Sequence, residues 1–231
     1  MPRAARRSLG GEVYHVLNRA ALRYRMLRTE KDFLALESLL YEAHGRFPGV
    51  RVLAWCLMGN HWHLLLWPKA DGELSRMLFW LTMTHAARYR TAHHTVGYGP
   101  LYQGRFKAFG VQRDEYLLTA GRYIERNPLR ADLVPRAEDW RWSSLWVRQN
   151  GTAAQRAILH PWPIDRPRNW LALVNRPQTA AEEAALRVSI QRSRPLGNSA
   201  WQQEMARKLG LRSCFRDPWR PAKAPEGKPC L

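Results

Sequence analysis

The sequence predicts an α+β fold in which helices cover one face of a four-stranded antiparallel sheet. Four short segments rich in β-branched and aromatic residues are separated by segments of helical hydrophobic periodicity, in the order β-α-β-β-α-β-α. Turn-forming pairs such as Pro48-Gly49 and Gly59-Asn60 divide these segments. Strands in this order are expected to pair as an antiparallel sheet of the ferredoxin or RRM type.

Capping residues and helix breakers set the expected boundaries. Thr29 can cap the first helix, which should run to about Arg46. Asp114 can start the third helix, and Pro128 disfavours a helical conformation at Asn127, so this helix is expected to end there. The expected strands are residues 12–18, 50–58, 61–67 and 105–112, and the expected helices are residues 29–46, 73–92 and 114–127.

A change of composition near residue 150 predicts two regions. Residues 1–150 contain all the expected strands and form the main domain. Residues 151–231 contain Trp- and Arg-rich segments interrupted by prolines, followed by helical stretches near residues 180–192 and 199–209. A chain of 231 residues fits one domain with an appendage better than two full domains. We therefore interpret residues 151–231 as a basic helical extension.

The charge balance predicts a polyanionic partner. The chain has 37 Lys and Arg residues against 19 Asp and Glu residues, a formal net charge of +18. Such an excess favours binding to phosphates, because each neutralised phosphate also releases condensed counterions.

Several classes of protein are disfavoured. The three cysteines lie far apart, which argues against a disulfide scaffold and a cysteine zinc site. The basic N terminus lacks the apolar stretch of a signal peptide. The most apolar window, residues 50–67, is interrupted by charged and polar residues and should not cross a bilayer. We expect a soluble cytoplasmic protein with no membrane partner.

Two histidines at alternate positions of an expected strand form a candidate metal site. Since side chains alternate along a strand, His61 and His63 should share one face of the sheet and Trp62 the other. Two neutral imidazoles at this spacing can bind a divalent metal ion, and the alternative is a hydrogen-bonded pair at a sheet edge. His15 lies on the first strand, and the sequence leaves open whether it points into the same site.

A tyrosine and an asparagine add to this site. Tyr123 and Asn127 lie four residues apart on the third helix, so both project from one face. Asn127 can supply an amide oxygen as a third ligand, and Tyr123 a phenol as nucleophile. Neutral ligands leave the charge of the cation available to polarise a phosphodiester. Gly121 gives room either for DNA and helix movement or for tight packing against the sheet.

Three stretches closely resemble the single-tyrosine HUH transposases, and more narrowly the REP-associated tyrosine transposases of bacteria. They are Tyr-His-Val-Leu-Asn-Arg at residues 14–19, Leu-Met-Gly-Asn-His-Trp-His-Leu-Leu at residues 57–65, and Arg-Tyr-Ile-Glu-Arg-Asn-Pro-Leu-Arg-Ala at residues 122–131. Residues 102–106, 142–144 and 192–197 also match that subgroup. The resemblance implies an HUH domain in which His61 and His63 bind Mg²⁺ or Mn²⁺. Asn127 stands where many of these enzymes have glutamine, whose amide has the same donor oxygen.

The resemblance also implies an activity and a partner. Tyr123 would attack a phosphodiester in single-stranded DNA, giving a 5′-phosphotyrosine link and a free 3′-OH that can later reverse the reaction. The expected partner is hairpin-bearing, REP-like DNA, and the expected enzyme is a bacterial, nucleoid-associated monomer or homodimer.

Basic residues near these motifs are candidates for DNA contacts. Those around Tyr123 can stabilise the phenolate or the phosphorane, or simply steer phosphates. Those in the extension precede a helix that Asn198 or Ser199 can cap, and a helix N terminus favours phosphate. The predicted contacts are Arg19, Arg105, Lys107, Arg122, Arg126, Arg192 and Arg194.

Two other functions are considered. A noncatalytic RRM-like protein that binds single-stranded nucleic acid would share the fold and the charge. It would not need a His-x-His strand or a tyrosine one turn from an amide. A zinc hydrolase using three histidines would be expected to carry a glutamate beside the histidine pair, as in His-Glu-x-x-His, and this sequence has none there.

Overall fold

The structure, a computed structural model, describes residues 7–215. Its centre is a four-stranded sheet in which every neighbouring pair is antiparallel. The strands are β1 (Val13–Arg19), β2 (Val50–Met58), β3 (His61–Pro68) and β4 (Lys107–Val111), in the spatial order β2-β3-β1-β4. The predicted sheet is confirmed, and β1 and β3, which carry the histidines of interest, lie at its centre.

The predicted helices are confirmed with small shifts at their ends. Thr29 caps the first helix through a capping box with Asp32, as its position predicted. The helices are α1 (Glu30–Arg46), α2 (Glu73–Ala92), α3 (Glu115–Arg130), α4 (Ser144–Asn150), α5 (Ala153–Ala157), α6 (Trp170–Asn175), α7 (Ala180–Arg192) and α8 (Ser199–Leu209). Within residues 7–215, no helix is long and apolar enough to span a membrane.

The α+β fold class is confirmed, with one difference in how the helices are arranged. We expected helices on one face of the sheet, but they cover both. Helices α1 and α2 pack on the face of Trp62 and Leu64, whereas α3 packs on the face of Leu65 and Phe109. The central strands are buried on both sides, a pattern typical of sheets covered by helices on each face.

Helix α3 runs three residues past its predicted end. Pro128 lies inside the helix, and the backbone N–H of Ala131 still donates to the carbonyl of Asn127. Proline cannot donate a backbone hydrogen bond, but this loss falls in the last turn, where it disrupts little of the helix. The helix therefore continues to Arg130, which lies on the same face as Tyr123.

The described part of the extension, residues 151–215, packs on both faces of the sheet: Leu186 and Leu196 lie in the core of the α3 face, whereas Met205 and Leu209 of α8 lie in the core of the α1/α2 face. Leu196 exchanges backbone hydrogen bonds with β4, and Leu186 is buried beside it. A Cβ atom at Gly121 would overlap the ring of Trp162, so here the glycine serves tight packing. The extension contributes to the same core as the sheet, and residues 216–231 lie outside the described part. The division at residue 150 stays a prediction.

Candidate active site

The two histidines of the His-x-His motif lie on the α3 face of the sheet. Alternation along β3 sends the indole of Trp62 into the core under α1 and α2, where it is 1% exposed. The imidazole rings of His61 and His63 lie on the opposite face, with their centroids 5.0 Å apart. The strand thus presents two imidazoles side by side to α3.

One nitrogen of each imidazole is already hydrogen-bonded. Nδ1 of His61 lies 2.6 Å from Oδ1 of Asn60, in the tight turn between β2 and β3. Nδ1 of His63 lies 2.8 Å from Nε2 of His15 on β1, so His15 does point into the site. Nε2 takes no part in these two hydrogen bonds in either ring.

Burial keeps these imidazoles neutral at physiological pH. Desolvation, with the charges of Arg19 and Arg130, lowers the pKa of His61 to about 4. Desolvation, with the neighbouring histidines, holds the pKa of His63 well below its usual value. The neutral imidazole is the form that binds metal ions, and the same low pKa values make protonation a weak competitor.

Helix α3 brings the tyrosine and the asparagine to the histidines. The ring centroid of Tyr123 lies 5.7 Å from that of His63 and 6.0 Å from that of His15. Asn127, one turn further on, hydrogen-bonds His61, which partly offsets the lowering of the pKa of His61. The structure therefore brings together all four residues that the sequence assigned to nucleophile and metal ligands.

Arg130 is a site residue that the sequence analysis missed. Its Nη2 donates a hydrogen bond of 2.9 Å to the hydroxyl of Tyr123, and its guanidinium lies 4.4 Å from the centre of the tyrosine ring. The spacing of seven residues places both on one helical face. The expectation that α3 ends at Asn127 hid this signal, because a residue beyond the helix has no defined face.

Tyr123 opens onto a cleft of about 350 Å³ with a strongly basic lining. Of the predicted DNA contacts, Arg19 and Lys107 line it. The extension supplies a further wall through Glu183 and Arg187 of α7, residues that the sequence analysis did not single out. Its cationic lining residues are Arg19, Arg23, Lys107, Arg130 and Arg187.

The other predicted DNA contacts lie outside this cleft. Arg122 donates to the carbonyls of Arg176 and Pro177, and Arg126 donates to the carbonyls of Val174 and Asn175. These two side chains hold the extension against α3. The remaining contacts are placed as follows: Arg105 is exposed between β4 and the preceding loop, Arg192 ends α7, and Arg194 donates to Gln202.

The candidate ligands fit a divalent cation in chemistry, although they include no carboxylate. Within residues 7–215, no group of three or more His, Cys, Asp or Glu side chains could hold a metal ion. The candidate third donor is the amide of Asn127, which is 2% exposed. Its Nδ2 atom has no hydrogen-bond partner among the described residues, and the amide hydrogen-bonds the candidate ligand His61. Two neutral imidazoles and an amide are acceptable ligands for a borderline or hard cation.

Comparisons with known proteins agree with the motifs. A solved structure described as that of a REP-associated tyrosine transposase bound to a REP hairpin superposes with a TM-score of 0.52 at 18% sequence identity, covering 72% of this chain and 93% of the other. At that identity the match shows a shared fold. No curated protein sequence matches significantly. The profile of the family described as "Transposase IS200 like" matches residues 11–127, just over half of the chain. The resemblance read from the motifs is thereby confirmed, and the chain belongs to the IS200-like transposase family.

Proposed function

We propose that the protein is a metal-dependent endonuclease and strand transferase that acts on single-stranded DNA through Tyr123. The observation that carries the proposal is a phenol that lines a basic cleft and packs beside two neutral imidazoles and an amide. The hydroxyl of Tyr123 is bound by Arg130, and the cleft around it is lined by five cationic side chains. A nucleic-acid-binding surface alone would not require a phenol held beside potential metal ligands.

The reaction exchanges one phosphodiester for another. The phenolic oxygen of Tyr123 attacks a backbone phosphorus, and the bond from phosphorus to the 3′ oxygen breaks. The products are a 5′-phosphotyrosine and a strand ending in a 3′-OH, which takes up the proton. Attack by a 3′-OH on the phosphotyrosine reverses the step and joins the strands. The number of ester bonds is unchanged, so no nucleotide cofactor is needed.

Residues of this chain prepare the nucleophile. A free phenol has a pKa of ~10, so at neutral pH it needs nearby positive charge to react as the phenolate. Arg130 supplies that charge directly at the oxygen through its 2.9 Å hydrogen bond. His61, His63 and Asn127 would hold Mg²⁺ or Mn²⁺, which when bound supplies a Lewis acid for the phosphodiester. Arg19 and Lys107 line the same cleft and would neutralise the phosphates of the strand.

A hairpin-bearing single strand is the proposed substrate. One tyrosine beside one cluster of ligands makes a compact site that handles one strand at a time, so intact duplex should not be cut. The solved relative that shares the fold was bound to a REP hairpin, which supports the same class of ligand here. The basic extension, which forms one wall of the cleft through α7, would hold the hairpin while its unpaired foot is cut.

The test is the formation of a covalent adduct. The protein is incubated with labelled single-stranded hairpin oligonucleotides and Mn²⁺, and SDS gels are examined for a band of protein linked to DNA. Tyr123→Phe should bind the DNA and form no adduct, because it removes only the nucleophilic oxygen. Tyr116→Phe, a matched change on the same helix, should form the adduct normally.

Three outcomes would contradict the proposal. An adduct formed by Tyr123→Phe would show that another residue is the nucleophile. Hairpin binding by the wild type without any cleavage would instead favour the noncatalytic binding protein. Efficient cutting of both strands of blunt duplex would rule out the proposed substrate.

A further inference from the structure

We propose that His15 is a positioning residue that offers an acceptor to Nδ1 of His63 and so allows Nε2 of His63 to act as a lone-pair donor. This inference rests on the proposed metal site, and it assigns a task to a buried histidine that the proposed reaction does not use. His15 itself is not a ligand in this proposal. It acts through its hydrogen bond to the imidazole of His63.

His15 is held in one place by its surroundings. It lies on the central strand β1 and is 0% exposed. Its ring packs against the ring of Phe109, with centroids 4.8 Å apart. On its other side, Nε2 lies 2.8 Å from Nδ1 of His63, which is close to the ideal length for a hydrogen bond.

The hydrogen bond between the two histidines allows two arrangements of the protons. In the first, Nε2 of His15 donates and Nδ1 of His63 accepts, so the neutral ring of His63 carries its proton on Nε2. In the second, Nδ1 of His63 donates and Nε2 of His15 accepts, so Nε2 of His63 has a free lone pair. Only the second arrangement leaves His63 able to bind a cation through Nε2.

The second arrangement makes a specific demand on His15. A neutral His15 that accepts through Nε2 must carry its own proton on Nδ1. That Nδ1 atom is buried and has no hydrogen-bond partner among the described residues. An unpaired buried polar atom destabilises a fold. A phenylalanine at this position could pack against the ring of Phe109 in the same way without adding such an atom. A histidine at this position is therefore poorly explained by packing and well explained by the acceptor that it offers to His63.

Asn60 acts on His61 in a similar way, but its hydrogen bond allows only one arrangement of the proton. Nδ1 of His61 lies 2.6 Å from Oδ1 of Asn60. A carbonyl oxygen can only accept, so His61 must carry its proton on Nδ1 and has a lone pair on Nε2. Each histidine of the motif thus has its own orienting partner. Asn60 fixes its tautomer without ambiguity, whereas the bond from His15 permits both until a cation selects one.

The experiment compares His15→Gln with His15→Leu in the full-length protein, using Mn²⁺ binding followed by electron paramagnetic resonance. The amide oxygen of glutamine can replace Nε2 as acceptor, whereas leucine fills the space without one. We expect His15→Leu to weaken Mn²⁺ binding by about 10- to 100-fold, and His15→Gln to recover most of that loss. His61→Ala serves as the control that removes a ligand.

A second measurement needs no substitution. ¹⁵N NMR of the histidines in the Zn²⁺-loaded wild type distinguishes protonated from bare ring nitrogens. We expect His63 to be protonated on Nδ1 and His15 on Nδ1. A zinc-loaded protein with His63 protonated on Nε2, or with zinc bound to His15 itself, would overturn the inference. Equal Mn²⁺ affinity of His15→Leu and wild type would also overturn it.

The failure of the inference can be separated from the failure of the proposed function. If the wild type binds no Mn²⁺, the metal site falls and the positioning role falls with it. If the wild type binds Mn²⁺ and forms the adduct while His15→Leu binds equally well, the proposed function stands and only the role of His15 is lost.

Discussion

The buried polar groups on the two faces of the sheet have different surroundings. On the α1/α2 face, Trp62 donates to the hydroxyl of Tyr102 at 3.0 Å, and that hydroxyl lies 2.6 Å from Nδ1 of His85. Every member of this short chain finds a partner. On the α3 face, Nδ1 of His15 and Nδ2 of Asn127 have none among the described residues. Unpaired buried atoms also occur on the α1/α2 face, at Nε1 of Trp55 and the hydroxyl of Tyr41, but those of the α3 face belong to the candidate ligands and their neighbour.

One strand therefore contributes both to the core and to the candidate site. Residues of β3 alternate between the faces, so Trp62 lies in the core under α1 and α2 and His63 lies in the candidate site. Because neighbouring residues of β3 have separate surroundings, stability and chemistry should respond separately to substitution.

The strongest contrast is expected between substitutions of two adjacent residues, His63 and Trp62. His63→Ala should reduce metal-dependent cleavage below detection and change the free energy of unfolding little. Trp62→Ala should lower the free energy of unfolding by about 3–5 kcal/mol, because it removes a large, fully buried side chain. Urea denaturation and adduct assays on both variants would test this contrast. It fails if His63→Ala unfolds as readily as Trp62→Ala, or if it still cleaves normally with Mg²⁺ or Mn²⁺.

Acid should destabilise the protein through buried histidines on both faces. Burial lowers the pKa of His85 to about 4 and that of His15 to about 3, from a usual value of 6.5. Between pH 6.5 and about 4 the unfolded chain binds more protons than the folded one, so stability falls as pH falls. His85 alone should contribute up to about 3 kcal/mol of this loss.

The share of His85 can be isolated by substitution. His85→Asn keeps an acceptor near the hydroxyl of Tyr102 and removes the titrating group. Its unfolding free energy, measured by urea denaturation from pH 7 to pH 4, should fall less steeply than that of the wild type. Parallel curves for the two proteins would show that His85 does not account for its part of the acid sensitivity.

A smaller effect is expected at the tyrosine hydroxyl. Arg130→Gln should slow cleavage by about 100-fold while leaving DNA affinity within a few-fold, because it removes a charged donor at the nucleophilic oxygen. Arg122→Gln is the matched control on the same helix, since Arg122 binds carbonyls of the extension instead. It should lower stability and leave the cleavage rate of the folded protein near normal. An equal fall in the cleavage rate of both variants would contradict a specific role for Arg130 at the tyrosine hydroxyl.

Local sequence signals predicted the fold closely but missed long-range contacts. The helix cap at Thr29, the turn at Gly59-Asn60 and the strand alternation around Trp62 are all set by neighbouring residues, and each appears where expected. The covering of both sheet faces was missed, because the apolar residues of a strand indicate that it is buried and do not identify the helix that packs on each face. The end of α3 was predicted too early, because proline usually disfavours a helical conformation of the residue before it. Here Pro128 lies in the last turn, and the helix continues to Arg130.

The candidate site shows the same division. His61, His63, Tyr123 and Asn127 were found because they repeat at strand or helix spacing within short motifs. Arg187 of α7 escaped notice, since it reaches the cleft from a distant part of the chain. The role of Arg122 could not be read either, because the carbonyls that it binds lie more than fifty residues away.

The smallest change in DNA affinity is expected at Arg105, and it tests whether the DNA strand extends beyond the α3 face. Arg105 was predicted as a DNA contact. It is exposed beside the groove between α2 and the loop that precedes β4, whereas Lys107 lines the cleft.

If the DNA strand continues from the cleft past this loop, Arg105→Ala should weaken DNA binding about two- to threefold for every sequence. The slope of log affinity against log salt should also fall by about 0.7, the loss expected for one phosphate contact on a single strand. Lys107→Ala should cause at least as large a change, because its side chain lines the same cleft as Tyr123. Binding titrations of both variants at several salt concentrations would decide the path. An unchanged slope for Arg105→Ala, with a reduced slope for Lys107→Ala, would confine the DNA to the α3 face and leave the α1/α2 face a purely structural one.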